Sequence, residues 1–299
     1  MFYDLNVRWT PNESELQKSL AFSAELGYNV VALNHNLSGK LPADIVNPIP
    51  SPLPFVSPTA LAILRRCTLT LTDPFPNSRI PALQSAYDLL AIRPLDESTF
   101  FSACANLECD IISLDLAKRL QFILKFRTIR LAIERGVKFE ICYSPGVLAN
   151  DASARRNLIS NATQLIRATR GRGLVVSSEA GRAVGLRAPW DVVNLCAVWG
   201  LGPERGMEAV GKLARSVVVS AKMRRSSYRG IIDIVYGGEQ HVEGGQGKKD
   251  KQGEGKNKRK RKEGNGAERK QDDESNASSE TGKAGKKAKI PASSEGIEG

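Results

Sequence analysis

Two histidines, His35 and His241, are all that this 299-residue chain holds, and that scarcity removes most hydrolytic chemistry. A metal centre needs several His, Cys or carboxylates converging at favourable spacing, and one histidine in the body of the chain cannot supply a His-rich site. A Ser-His-Asp arrangement would have to use His35, which reads more simply as a polar residue at a strand end. Aromatic residues make up only 6% of the chain, so platforms for stacking unpaired bases are scarce. Tyr143 and Tyr228 are the candidates, and both read better as packed side chains. The five cysteines (Cys67, Cys104, Cys109, Cys142, Cys196) form no C-x-x-C pair and mostly sit in apolar surroundings. They are expected to be reduced core residues of an intracellular protein. No apolar run approaches the ~18 residues of a membrane span. Met1-Phe-Tyr-Asp-Leu5 also lacks the basic-then-apolar order of a signal peptide, so a soluble cytosolic or nuclear protein without a membrane partner is expected. Gly200-Leu-Gly202-Pro-Glu-Arg-Gly206 misses the G-x-G-x-x-G spacing and reads as a helix stop followed by a new start at Pro203.

Acidic residues are missing from one stretch in particular. Between Arg155 and Arg229 stand fourteen Lys/Arg against four Asp/Glu, whereas the rest of residues 1–236 holds fourteen basic and sixteen acidic side chains. One contiguous segment therefore supplies the whole imbalance of the body, which is the electrostatic footprint of a surface that sits on phosphates.

Short, nearly continuous apolar runs recur along residues 1–236: Tyr3 to Val7, Val30 to Leu33, Thr68 to Leu71, Leu89 to Ile92, Ile111 to Leu114, Phe139 to Tyr143, Leu174 to Ser177 and Val217 to Ser220. Strands of this kind are buried on both faces, as in parallel sheets covered by helices. Helical patterns lie between them: Glu13 to Leu26, stopped by Gly27; Gln121 to Glu134, stopped by Gly136; and a helix from the N-cap Asp151 to about Thr169. Eight strand candidates alternating with helices predict an α/β fold of the TIM-like (β/α) barrel type, regular or irregular, with an open doubly wound sheet as the alternative. Residues 42–58 carry six prolines, which predict an extended loop, either a contact arm or an insertion. From Gly237 to Gly299 the chain has almost no apolar residue and is expected to be a disordered, charged tail. Within it Lys256, Lys258, Arg259, Lys260, Arg261 and Lys262 form a basic heptamer with Asn257, suited to nuclear import. Ser275, Ser278 and Ser279 stand among acidic residues that suit an acid-directed kinase.

The first strand reads Asp4-Leu-Asn-Val-Arg8. It resembles the opening of polymerase-and-histidinol-phosphatase barrels, whose Asp-Leu-His-x-His segment binds metal. Asn6 and Arg8 stand at the two histidine positions, and a cation there would repel a metal. This replacement resembles the thirty-kilodalton-class barrel subunit of nuclear ribonuclease P and ribonuclease MRP. Further segments match that family in order: Leu26-Gly-Tyr-Asn-Val-Val-Ala-Leu-Asn34, Asp110-Ile-Ile-Ser-Leu-Asp115, Phe139-Glu-Ile-Cys-Tyr-Ser-Pro145, Arg155-Arg-Asn-Leu-Ile-Ser-Asn-Ala162 and Arg187-Ala-Pro-Trp-Asp-Val-Val-Asn-Leu195. The resemblance spans residues 2 to about 236, apart from the proline-rich segment and the tail. It implies an auxiliary subunit of a ribonucleoprotein endonuclease, with no catalytic residue, metal or cofactor of its own. The RNA would carry the active site and mature the 5′ ends of precursor tRNA, and the related particle would process ribosomal RNA. The implied partners are the catalytic RNAs of ribonuclease P and MRP, precursor tRNA indirectly, and other protein subunits including a small α/β protein. The implied compartment is the nucleus and its nucleolus.

For RNA contact the first candidates are Arg182 and Arg187, which bracket a glycine-rich loop directly after the Leu174 to Ser177 run. Lys222, Arg224 and Arg225 come next, having no acidic neighbour in sequence, followed by Arg155, Arg156, Arg167, Arg170 and Arg172. Arginine is favoured because its planar fork pairs bidentately with phosphate oxygens. If ~5 phosphates are neutralised, log K should fall with log salt at a slope on the order of −3.5 to −4.5. The plainer alternatives are a solvated helix flank for Arg156, Arg167 and Arg170, and pairing of Arg187 with Asp191 or capping of a neighbouring helix. Asp4, Asp115 and Glu179 end strand candidates and could form a carboxylate group for a Mg²⁺ or Mn²⁺ phosphoesterase, but pairing with Arg8 and Arg93 is more economical. A basic nucleic-acid-binding barrel serving another particle is the remaining alternative.

Overall fold

The structure is a computed structural model that describes residues 1–39, 44–72 and 79–226. Seven strands alternate with helices: β1 (Tyr3–Arg8), β2 (Val30–Leu37), β3 (Ala62–Leu71), β4 (Leu89–Pro94), β5 (Ile111–Ser113), β6 (Lys138–Cys142) and β7 (Leu174–Ser177). They pair in parallel in sequence order. The sheet curls until its edges meet just past the end of β7. There Val7 bridges Ala180, Arg8 N donates to Ala180 O at 2.9 Å, and Glu179 N donates to Asn6 O at 2.6 Å. The result is a nearly closed TIM-like α/β barrel, as the alternation of apolar runs predicts.

Nine helices are described: α1 (Glu13–Glu25), α2 (Ile80–Ala86), α3 (Glu97–Ala105), α4 (Phe126–Glu134), α5 (Ser144–Val147), α6 (Ala152–Thr169), α7 (Pro189–Val198), α8 (Pro203–Val210) and α9 (Lys212–Ser226). The local rules hold at their ends. Asn12 accepts from Glu15 N to cap α1, and Asp151 accepts from Ser153 N to cap α6. Gly27, Gly136 and Gly200 take positive φ after α1, α4 and α7, where any other residue would be strained. Helix α4 starts at Phe126, later than its apolar pattern suggests, because Phe122 and Leu124 are buried from an irregular segment that precedes it.

Two expectations are corrected. The Val217 to Ser220 run is no eighth strand; it lies inside α9. The buried residues of that helix, Ala214, Val217 and Ala221, recur at a helical spacing. They pack with Tyr3, Leu5, Ala32, Leu89, Ala91, Ile111 and Val175 from the strands, so α9 closes the barrel at the N-terminal end of its strands. The proline-rich segment, in turn, packs on the barrel instead of projecting as an arm. The described residues 44–61 form the crossover from β2 to β3 without a helix, and bury Ile49 while Ile45, Leu53 and Phe55 pack on the core. Its Pro42 lies outside the described residues, as do Tyr228, Arg229, the tail, the basic heptamer from Lys256 to Lys262, and Ser275, Ser278 and Ser279.

Candidate functional site

Barrels of this type place their chemistry at the C-terminal end of the strands. In this chain that end is filled by its own polar side chains. Arg66 of β3 and Glu140 of β6 form a two-point pair at 2.5 and 2.6 Å, both wholly buried. Arg66 also donates to Leu5 O and Thr68 Oγ1, while Glu140 accepts from Asn6 Nδ2 at 3.3 Å. Asn34 of β2 donates to Asn6 Oδ1 and accepts from Thr68 Oγ1, each at 2.8 Å. Asn6 reaches this interior because the β1–β2 register shifts between Asp4 and Val7, a bulge that re-aims the side chain. Burial opposes the charge on both partners. The pair overrides it, holding Glu140 down at about 2 and raising Arg66.

A second pair lies beside it. Arg93 of β4 grips Glu179 at 2.9 and 2.8 Å and donates to Ser113 Oγ, and Arg8 approaches the same carboxylate at 3.8 Å. Burial works against the Arg93 cation, and the bond to Glu179 raises it nonetheless. Glu179 sits at φ 54, a conformation costly for a side-chain-bearing residue. Barrel closure through its own N–H fixes it there. The expected pairing of Glu179 with Arg8 and Arg93 is thus present.

Asp4 and Asp115 behave differently. Asp115 pairs with Lys118 at 2.9 Å. Asp4 is 1% exposed and accepts from the backbone N–H of Asn6 and of Ser178, with its Oδ2 unpartnered. Burial pushes its carboxyl up to about 6. Among the described residues no three His, Cys, Asp or Glu side chains are grouped to hold a metal. His35 Nδ1 lies 2.9 Å from Tyr87 Oη, and partial burial lowers its proton affinity. The five cysteines are free and buried. Tyr143 is 1% exposed, with its hydroxyl accepting from Arg187 N, so it offers no stacking face.

The ten candidate cations do not form one surface. Arg155 and Arg156 are exposed in the first turns of α6, and Arg182 is exposed before the 3-10 turn Ala183–Gly185, all at the C-terminal end of the strands. Arg187 is there too, but its guanidinium donates to Val184 O and Leu186 O, bracing its own turn rather than pairing with Asp191. Arg167, Arg170 and Arg172 lie at the opposite end of the barrel, roughly 20 Å from Arg155 and Arg156 along the 18-residue helix.

Arg224 and Arg225 have an acidic partner that their neighbours in sequence do not show. Both hold the carboxylate of Asp110, at 2.5 and 2.9 Å, and Arg225 also donates to Gln84 O, Tyr87 O and Ala221 O. They fasten α9 under the barrel, with an acidic partner more than a hundred residues distant in sequence. Lys222, next to them on α9, is exposed in a cleft with Asp88. Arg66, Glu140 and Asp110 were not singled out by sequence reasoning. Only Glu140 carries a signal in sequence, as a lone acid inside the apolar run Phe139 to Tyr143.

The comparisons agree with this geometry. The family model described as RNase P subunit p30 matches residues 1–226. A probable ribonuclease P protein subunit 3 of Schizosaccharomyces pombe is 40% identical over 78% of this chain and 99% of its own length. The ribonuclease P protein subunit p30 of Mus musculus is 34% identical over 78% and 90%. The ribonuclease P/MRP protein subunit RPP1 of Saccharomyces cerevisiae is 32% identical over 78% and 84%. A chain of an archaeal ribonuclease P solved with mature tRNA by cryo-electron microscopy shares the fold, with a TM-score of 0.59 at 13% identity over 77% of this chain and 97% of that one. A barrel whose mouth is occupied by ion pairs, with this sequence, belongs to the ribonuclease P subunit p30 family.

Proposed function

We propose that this chain is the non-catalytic barrel subunit of ribonuclease P, with the RNA component carrying the active site that matures precursor tRNA, and that it also serves ribonuclease MRP. The observation that carries the first part is the mouth of the barrel. Arg93 neutralises Glu179 at the mouth and Arg66 neutralises Glu140 in the interior below it, and among the described residues no group of His, Cys or acids is left to hold a metal. The relative named as a ribonuclease P/MRP subunit supports the second part. Contact with the catalytic RNAs, indirect contact with precursor tRNA, and association with other protein subunits, including a small α/β protein, belong to the same reading. So do nuclear and nucleolar residence, through the basic heptamer Lys256 to Lys262.

The test is affinity purification of the tagged full chain from its own cells, with sequencing of the RNA that accompanies it. One or two structured RNAs should be strongly enriched. A preparation with its protein partners but no specific RNA would overturn the proposal.

A further inference from the structure

The arginines at the N-terminal end of the strands line two adjoining clefts. One, of about 550 Å³, lies between the end of α6 and the start of α8 and is lined by Arg167, Arg170, Arg205 and Glu204. The other, of about 350 Å³, lies between α4 and the turn after α6 and is lined by Phe126, Arg130, Glu134, Arg170 and Arg172. Arg170 belongs to both. Five arginines thus face two carboxylates, and Glu134 is already held by Arg130 at 2.6 Å. All the cations here are arginines, whose planar forks suit phosphate oxygens.

The backbone of Arg170 is the informative feature. Helix α6 ends at Thr169, and Arg170 takes a left-handed conformation, φ 54 and ψ 33, at the position where glycine is favoured. Gly171 follows immediately. An arginine standing where glycine would be unstrained points to a use for its side chain. That side chain is carried over the Phe126 ring, 4.9 Å from the centroid. A ring face orients a guanidinium without cancelling its charge. Arg66, Arg93, Arg224 and Arg225 all face carboxylates instead.

We propose that the paired clefts around Arg170 are where the RNA backbone docks: phosphates seat between Arg167, Arg170 and Arg205 on one side and Arg130, Arg170 and Arg172 on the other. The RNA then lies at the end of the barrel opposite the polar mouth. This rests on the reading of the chain as an RNA-contacting subunit and names the surface that makes the contact.

The experiment uses the full chain and an in vitro transcript of the ribonuclease P RNA from the same cells, with affinity measured across a salt series. Arg170→Gly should keep or raise the thermal midpoint, since it relieves the left-handed strain, while weakening RNA binding about tenfold through loss of a charge-assisted contact. The double variant Arg167→Gln/Arg172→Gln removes two side chains without hydrogen bonds or ion pairs among the described residues. It should flatten the slope of log K against log salt by about 1.5. The control, Arg155→Gln/Arg156→Gln/Arg182→Gln, should leave that slope unchanged. If the control flattens the slope and the cleft variants do not, the placement is wrong but the RNA-binding reading stands. If the cleft variants keep RNA affinity and lose a protein subunit, the clefts belong to an acidic protein surface and the proposal fails. If the unaltered chain does not bind the transcript, the RNA-contacting reading fails, and this placement with it.

Discussion

Arg66 and Glu140 meet at the centre of the barrel through two hydrogen bonds of 2.5 and 2.6 Å, from strands three positions apart and with neither side chain exposed. The pair fills the interior of the barrel with two charges that neutralise each other. A buried pair of this sort contributes little net stability over an apolar replacement, but it is costly to break from one side.

Glu140→Gln should therefore destabilise the fold by about 3–5 kcal/mol, because it leaves the Arg66 cation buried without a counter-charge. The double variant Arg66→Met/Glu140→Met should return roughly half of that loss or more, since no charge then remains to be desolvated. Urea unfolding of the three proteins measures both quantities. A double variant no better than the single one would mean that the surrounding hydrogen bonds to Asn6, Asn34 and Thr68 matter more than the charges.

Asp4 gives the fold a pH dependence of definite sign. Burial raises its folded carboxyl to about 6, above the ordinary value, so its contribution to stability is fully present below about pH 4 and is lost as pH rises through 6. The loss is on the order of 2–3 kcal/mol by pH 7. Glu140, held down at about 2, acts in the opposite sense but over a lower window, losing its contribution as pH falls toward 2. His35, whose proton affinity is lowered by burial, gains stability as pH rises through the usual histidine range. The difference between the unaltered chain and Asp4→Asn isolates Asp4. The variant should be the more stable above pH 6, and the gap should shrink as pH falls to 4. A constant gap in urea midpoints across that range would show that Asp4 does not titrate there.

At the other end of the barrel, Asp110 anchors α9. Asp110→Ala should cost about 3 kcal/mol, since it frees two guanidiniums and the N–H of Leu90 at once. Arg224→Ala should cost under about 1 kcal/mol, because that side chain is 41% exposed and screened. Arg225→Ala should cost more than Arg224→Ala, because three backbone carbonyls lose a donor. Amide hydrogen exchange should place the loss of protection in α9 for all three. Equal costs for the two arginines would contradict this division of roles.

The sequence made the first seven strands legible because strands buried on both faces read as continuous apolar runs. It misplaced the start of β3, where Arg65 and Arg66 look like a polar break, although Arg66 is turned into the barrel. It misread Val217-Val-Val219 as a strand, because β-branched residues suggest one, while the period of Ala214, Val217 and Ala221 was the better guide. The barrel-mouth pairing of Glu179 with Arg8 and Arg93 was foreseeable from charges at strand ends. The Arg66–Glu140 and Arg225–Asp110 pairs were not, because 74 and 115 residues separate the partners and only the closed barrel brings them together. For the same reason a stretch of basic sequence became two separate groups of arginines at opposite ends of α6.

In the proposed function, cleavage belongs to the RNA and this barrel positions it. The most direct test assays 5′ cleavage of precursor tRNA by the complex purified through this chain, before and after nuclease digestion of its RNA. Cleavage should disappear with the RNA and return when the transcript is added back. Cleavage that survives complete digestion, and is abolished by changing Asp4 or Glu179, would contradict it and place an active site in the barrel itself.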